Sequence, residues 1–240
     1  MNSAKEKIRW FVIEGQQAIA RAVVGMIADA AASAIGQRDA FSLVLAGGST
    51  PKVAYAQLAE TAQQWEKWSL YYGDERCLPP GDPERNSHMV IETGLAHRAG
   101  RHFPIPAERG AEQGATEYAP LVDAARPFDM VLLGMGEDGH TASLFPGHPV
   151  DDGQASVIPV HDAPKPPPDR ISLTASALQD STEMIVIVTG KEKADALRRW
   201  LDGEALPIAQ VTAGAKGRVT VVTDQREVVE TFSIWHRWQG

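Results

Sequence analysis

Gly134-Met135-Gly136-Glu137-Asp138-Gly139-His140-Thr141-Ala142-Ser143-Leu144-Phe145-Pro146 follows directly on the apolar run Phe128-Asp129-Met130-Val131-Leu132-Leu133. The run reads as a buried parallel strand. Its exit is a glycine-rich loop carrying acids and one histidine. Glycines let the backbone take positive φ and approach a ligand closely, and histidine is the side chain whose ordinary pKa suits proton transfer near neutrality. In open α/β sheets, ligands bind outside the carboxyl ends of the strands. Chain order alone therefore makes His140 a candidate site residue.

Outward from this loop, short apolar runs alternate with helical stretches. Strands are expected at 10–13, 41–46, 69–72, from Phe128 onward, and at 157–160, 171–173, 184–188 and 219–222. Helices are expected at 16–35, 51–61, 111–122, 191–201 and 227–232. This alternation predicts an α/β fold, Rossmann-like, with a largely parallel sheet and helices on both faces. The segment Ala163-Pro164-Lys165-Pro166-Pro167-Pro168 is extended and semi-rigid because proline fixes φ and removes donors. It reads either as a domain boundary or as a loop holding Arg170 in place.

The 240 residues are 43% apolar, ample for a packed core, and carry a net charge of −8. An acidic surface does not attract nucleic acid or anionic membranes, so an anionic substrate would need a local basic pocket. The single Cys77 rules out an internal disulfide, and no CxxC or HxxxH pair suggests zinc. Cys77 reads as a small packed residue. The first ten residues mix charges with apolar side chains, unlike a signal peptide, and no window approaches the ~20 apolar residues of a membrane span. A soluble cytoplasmic protein is the expectation.

Two further strand ends carry chemistry. Gly47-Gly48-Ser49-Thr50-Pro51 leads from a strand into a helix; its backbone N–H groups at a positive dipole end suit a phosphate. The GK[ST] ending of a P-loop is missing. An ordinary strand–helix turn is the alternative. Gly73-Asp74-Glu75-Arg76-Cys77-Leu78-Pro79-Pro80 places Arg76 where it would meet a polarised oxygen, with Asp74 positioning it; a solvated turn is the alternative. Arg170 and Lys193 also lie at strand termini. Gly134 to Gly139 formally matches GxGxxG, but Pro146 and Pro149 cut short the helix that a dinucleotide fingerprint needs. Trp65, Trp68, Trp235 and Trp238 read as packing or surface-patch residues. His88, His97, His102, His148, His161 and His236 read as surface or packing residues.

Taken together, these motifs resemble the 6-phosphogluconolactonase family of the pentose phosphate pathway. The matching pieces include Arg170-Ile171-Ser172-Leu173-Thr174 and Gly190-Lys191-Glu192-Lys193-Ala194. They follow the family's order over most of the chain. The resemblance implies one domain over 1–240, with a fold similar to glucosamine-6-phosphate deaminase, ribose-5-phosphate isomerase and CoA transferases. It also implies hydrolysis of 6-phospho-D-glucono-1,5-lactone without metal or organic cofactor. By the same resemblance His140 is the general base, Asp138 orients it, and Arg76 polarises the lactone oxygens. Gly47, Gly48, Ser49, Thr50, Asp74, Arg170 and Lys193 bind substrate, Lys193 being preferred to Lys191. The deaminases, with a DGHIAFNEP-like loop, carry an acid five residues after the histidine, where this chain has Phe145; that favours a lactonase. Arg85, where lactonases often have serine, is read as a local variation beside the retained Asn86. A non-catalytic sugar-phosphate sensor is the alternative class, disfavoured because the segment before Trp10 is too short for a DNA-binding unit. The expected partner is a small phosphosugar lactone, with no nucleic acid or membrane, on a monomer or weak dimer.

Overall fold

The computed structural model describes residues 8–150 and 155–232, together with the backbone of 235–237. The chain alternates strands and helices. β1 (Ile8–Val12), α1 (Gln16–Arg38), β2 (Phe41–Leu45), α2 (Ser49–Ala59) and β3 (Trp68–Tyr72) come first. They are followed by β4 (Asp74–Arg76), α3 (Asn86–Glu92), α4 (Leu95–Arg98), β5 (Arg101–His102), α5 (Ala111–Ala125) and β6 (Phe128–Gly134). The remainder is β7 (Val157–Val160), β8 (Arg170–Leu173), α6 (Ala175–Gln179), β9 (Ser181–Val188), α7 (Ala194–Asp202), α8 (Pro207–Ala213), β10 (Arg218–Thr223), α9 (Arg226–Thr231) and β11 (Trp235–Arg237).

Eight strands form one sheet in the order β11-β1-β10-β9-β6-β2-β3-β5, and every neighbouring pair in it is parallel. β6 runs through its centre and is buried along nearly its whole length, as its unbroken apolar run requires. Its one acid, Asp129, is stabilised by the Ser42 backbone N–H and hydroxyl and by the Arg38 guanidinium. From β2 the chain continues to β3 and β5 on one side; from β6 it continues to β9 and β10 on the other. The carboxyl ends of β2 and β6 therefore flank a topological switch point, where such sheets open a crevice.

Two expectations about secondary structure need correction. The strands at 157–160 and 171–173 do not join the parallel sheet. With β4 they form a separate antiparallel sheet, β4-β8-β7. Gly73 connects the two sheets: its N–H donates to Leu45 O of β2, and its carbonyl accepts from Leu173 N of β8. The helix expected at 191–201 begins with a 3-10 turn, Lys191–Lys193, and the α-helix proper starts at Ala194.

α1 is long and apolar enough to cross a membrane by length and composition, with a mean hydropathy of 1.6 in its most apolar window. That corrects the expectation that no window approaches this property. Alanines supply much of the hydropathy, and Ile19, Val23, Ile27 and Ile35 are buried in the core. Trp65 and Trp68 pack in the core with tilted rings 4.7 Å apart. The side chains of Trp235, His236 and Trp238 lie outside the described residues.

Candidate active site

The loop after β6 is tied to itself. Gly136 N–H donates to His140 O, Gly139 N–H to Gly136 O, and the Thr141 hydroxyl to Gly134 O. Gly139 has φ +88°, a backbone state that favours glycine. At Gly136 a Cβ would overlap His140 Nδ1 and Asp138 Oδ1, so only glycine leaves space for that pair. His140 Nδ1 lies 2.5 Å from Asp138 Oδ1, which also accepts the His140 backbone N–H at 3.1 Å. The ring rests on Phe145 with centroids 4.8 Å apart, leaving the His140 side chain 18% exposed.

Burial pushes the His140 pKa below its ordinary value, although Asp138 and, more weakly, Asp74 pull it back up. Burial works against the charge on Asp138 too, but the His140 N–H and ring prevail and hold that carboxyl below its usual range. An ionised Asp138 accepts a hydrogen bond from Nδ1–H, the tautomer that leaves Nε2 with its lone pair. The imidazole lines a cleft of about 370 Å³ at the carboxyl ends of β2 and β6.

Gly47 and Gly48 line the same cleft; Ser49 and Thr50 do not. Ser49 is exposed. The Thr50 hydroxyl is turned away and paired with the Thr189 hydroxyl at 2.9 Å, with Gln16 Nε2 at 3.4 Å. The sequence reading concerned the backbone N–H groups of this turn; the two side chains add nothing to the cleft wall. The glycines are held from both sides. Tyr55 OH accepts from Ala46 N and donates to Ala46 O, both at 2.9 Å, and a Cβ on Gly47 would overlap the Asn86 amide.

The opposite wall comes from the small sheet. Asp74, Arg76 and Arg170 line the cleft. Arg76 and Arg170 are direct partners in the β4–β8 ladder, which sets two guanidinium-bearing side chains next to each other. Asp74 accepts from the Ser143 hydroxyl at 2.6 Å and from Asn86 Nδ2 at 3.1 Å. Arg76 Nη1 donates to Glu84 O. Arg170 is 5% exposed, and its guanidinium lies over the Phe145 ring. Burial, with the neighbouring Arg76 adding to it, lowers the Arg170 pKa, while Asp74 opposes both. Three successive carbonyls of the proline segment hold this guanidinium: Nη2 donates to Lys165 O (2.9 Å) and Pro166 O (3.1 Å), and Nε to Pro167 O (3.2 Å). Of the two readings of that segment, these bonds match the loop that holds Arg170.

Lys193 lines the cleft as well, whereas Lys191 is exposed and does not. Lys165 and Glu75, to which the sequence reading gave no role, belong here with the retained Asn86. Lys165 and Asn86 line the cleft. Glu75, with 0% exposure, accepts backbone N–H groups of Arg76, Asn86 and Ser87 at 2.7–2.9 Å. Arg85, read from the sequence as a local variation, carries structural bonds. It is buried, with Nε 3.6 Å from Glu75 and Nη1 3.0 Å from Glu108, and it donates to Ile105 O. An acid between two motif residues was the available signal for Glu75; nothing local marked Lys165. Cys77 is half-buried, and burial raises its thiol pKa to about 11, consistent with a packing role. Among the described residues no three His, Cys, Asp or Glu side chains converge as metal ligands.

Four cations, Arg76, Lys165, Arg170 and Lys193, thus face one carboxylate, Asp74, in a cleft that also presents a carboxylate-bound imidazole. Fold and site together describe an α/β protein of the enzyme class, with a cationic cleft beside a carboxylate-bound histidine at the switch point of its sheet. Residues 14–221 match the family model described as Glucosamine-6-phosphate isomerases/6-phosphogluconolactonase. The chain is 38% identical over 224 residues to the 6-phosphogluconolactonase of Streptomyces coelicolor, covering 84% of each chain. It is 34% identical over 223 residues to that of Rattus norvegicus, covering 83% of this chain and 85% of the rat protein. The solved 6-phosphogluconolactonase of Trypanosoma brucei superposes with a TM-score of 0.83 at 26% identity, covering 94% and 98% of the two chains. A monomeric glucosamine-6-phosphate deaminase, at 22% identity and a TM-score of 0.74 over 93% and 99%, shares the fold. The chain belongs to the glucosamine-6-phosphate isomerase/6-phosphogluconolactonase family, and within it to the 6-phosphogluconolactonase subfamily.

Proposed function

We propose that this chain hydrolyses 6-phospho-D-glucono-1,5-lactone to 6-phospho-D-gluconate with His140 as the general base. The observation that carries this reading is the half-buried imidazole whose Nδ1 is engaged by Asp138 while the ring lines a cationic cleft. Nε2 takes a proton from water as the water oxygen attacks C1. The carbonyl π pair moves onto oxygen, and Arg76 stabilises the resulting oxyanion. Collapse of this intermediate breaks the bond from C1 to the ring oxygen, which takes the proton back from His140 and becomes the C5 hydroxyl. The new carboxyl group releases its proton to solvent.

Arg170, Lys193 and the backbone N–H groups at the Gly47–Gly48 turn and the start of α2 hold the phosphate. Fixing this remote group sets the distance from C1 to His140 and removes unproductive poses. Asp74 positions this wall through Ser143 and Asn86. Phe145, an apolar ring packed on His140, stands where a deaminating relative would need an acid for its proton shuttle.

The test is hydrolysis of freshly generated lactone, coupled to 6-phosphogluconate dehydrogenase and compared with the spontaneous rate. His140→Ala is run in parallel, with glucosamine 6-phosphate as a control substrate. Wild-type acceleration that falls by about 10²–10⁴-fold in His140→Ala supports the base. Undiminished turnover by the variant removes His140 from the role, and ammonia release from glucosamine 6-phosphate would replace the lactonase reading with a deaminase one.

A further inference from the structure

The proline segment carries a cation that the mechanism above does not use. Lys165 lines the cleft, yet its ammonium is bound to Glu137 Oε1 at 2.6 Å. Glu137 belongs to the histidine loop but not to the cleft wall. The pair thus joins the two segments that carry Arg170 and His140. Both side chains are about half exposed, at 44% and 51%, so the contact is readily exchanged for another anion. Glu137 is held below the usual carboxylate range chiefly by Lys165, with the charge of Lys193 contributing.

Arg170 sharpens the need for another donor. Its Nε and Nη2 are already bonded to carbonyls of residues 165–167, and only Nη1 is left without such a bond to that segment. A phosphate monoester presents three acceptor oxygens and up to two charges, so it accepts a further charged donor beside Nη1, Lys193 and the turn N–H groups.

We propose that Lys165 is a substrate-phosphate ligand held in reserve by Glu137: the anion displaces the carboxylate, and the ammonium transfers to the phosphate. Glu137 is then a competing internal anion that sets how tightly phosphorylated ligands bind. The inference rests on the phosphosugar reading of the cleft, but its test does not require lactone turnover.

The experiment measures Kd for 6-phosphogluconate by calorimetry at low salt, with kcat and KM for the lactone alongside, in wild type, Lys165→Ala, Lys165→Arg and Glu137→Gln. Lys165→Ala is expected to raise Kd and KM by about tenfold, the loss of one charged hydrogen bond, with the effect on KM rather than kcat. Lys165→Arg restores most of the affinity. Glu137→Gln tightens binding, because the competing anion is gone. Wild-type Kd in Lys165→Ala overturns the inference. So does weaker binding in Glu137→Gln, which would make the pair a strut between loops. If no variant turns over lactone while the Lys165 dependence of Kd persists, the lactonase reading fails and the phosphate ligand stands.

Discussion

His140 illustrates how a single residue's chemistry is set by its surroundings. Burial lowers its pKa, so the neutral base form prevails at neutral pH, and the acid limb of kcat/KM should lie below the ordinary histidine value of about 6.5. Activity falls as pH drops through that limb, because the imidazole becomes protonated. Asp138→Asn removes an influence that raises the pKa. The limb should move to still lower pH while the plateau kcat falls through loss of ring orientation; a limb that moves upward would contradict the assignment. Gly136→Ala pushes a methyl group into the space of His140 Nδ1. The expected result is about a 10²-fold loss of kcat, with affinity for 6-phosphogluconate kept, as steady-state kinetics and calorimetry would show. His140 and its glycines were legible in the sequence because one short window contains them all. The pairing of the Thr50 hydroxyl with Thr189 was not legible there, because Thr189 lies at a distant strand end.

At the scale of elements, β4 is three residues long and contributes three different functions. Alternation sends Asp74 and Arg76 to the cleft and Glu75 into the interior. There Glu75 ties β4 to the start of α3 through the N–H groups of Asn86 and Ser87, with Arg85 as counter-charge. Glu75→Ala removes the fully buried one of the two carboxylates beside that guanidinium and should cost about 3–5 kcal/mol. A fall in Tm of roughly 10 °C in a thermal scan is expected. A shift within experimental scatter would show that Arg85 is neutralised by Glu108 alone. Tyr55→Phe deletes two bonds to Ala46 and should cost about 1–3 kcal/mol. It should also raise KM by loosening the Gly47 turn, whereas a pure stability loss with wild-type KM would confine Tyr55 to packing. Glu75 lay in plain view within a recognised motif. Its inward direction depends on β4 leaving the parallel sheet after Gly73, which no local pattern announced.

Across the whole molecule, the cleft is assembled from parts that are remote in sequence. Gly47 and His140 follow two strands of the parallel sheet, Arg76 and Arg170 come from the antiparallel sheet, and Lys193 follows β9. A ligand that touches all of them joins the two sheets. 6-Phosphogluconate at about a hundredfold excess over its Kd should therefore stabilise the protein by about 2.7 kcal/mol, visible as a rise in Tm. Arg170→Ala should lose most of that rise under the same conditions; an equal rise would remove Arg170 from the phosphate site. The amino-acid sequence by itself determined the alternation of strands and helices, the parallel character of the main sheet, and the loops bearing Gly47, Arg76 and His140. Apolar periodicity and glycine or proline stereochemistry act over a few residues and are written in adjacent letters. Only the tertiary structure decided that β7 and β8 pair with β4, that Arg76 stands beside Arg170, and that Lys165 reaches the cleft. Those outcomes depend on which strand edges remain open once the central sheet has formed, a property of the packed whole and not of any one segment.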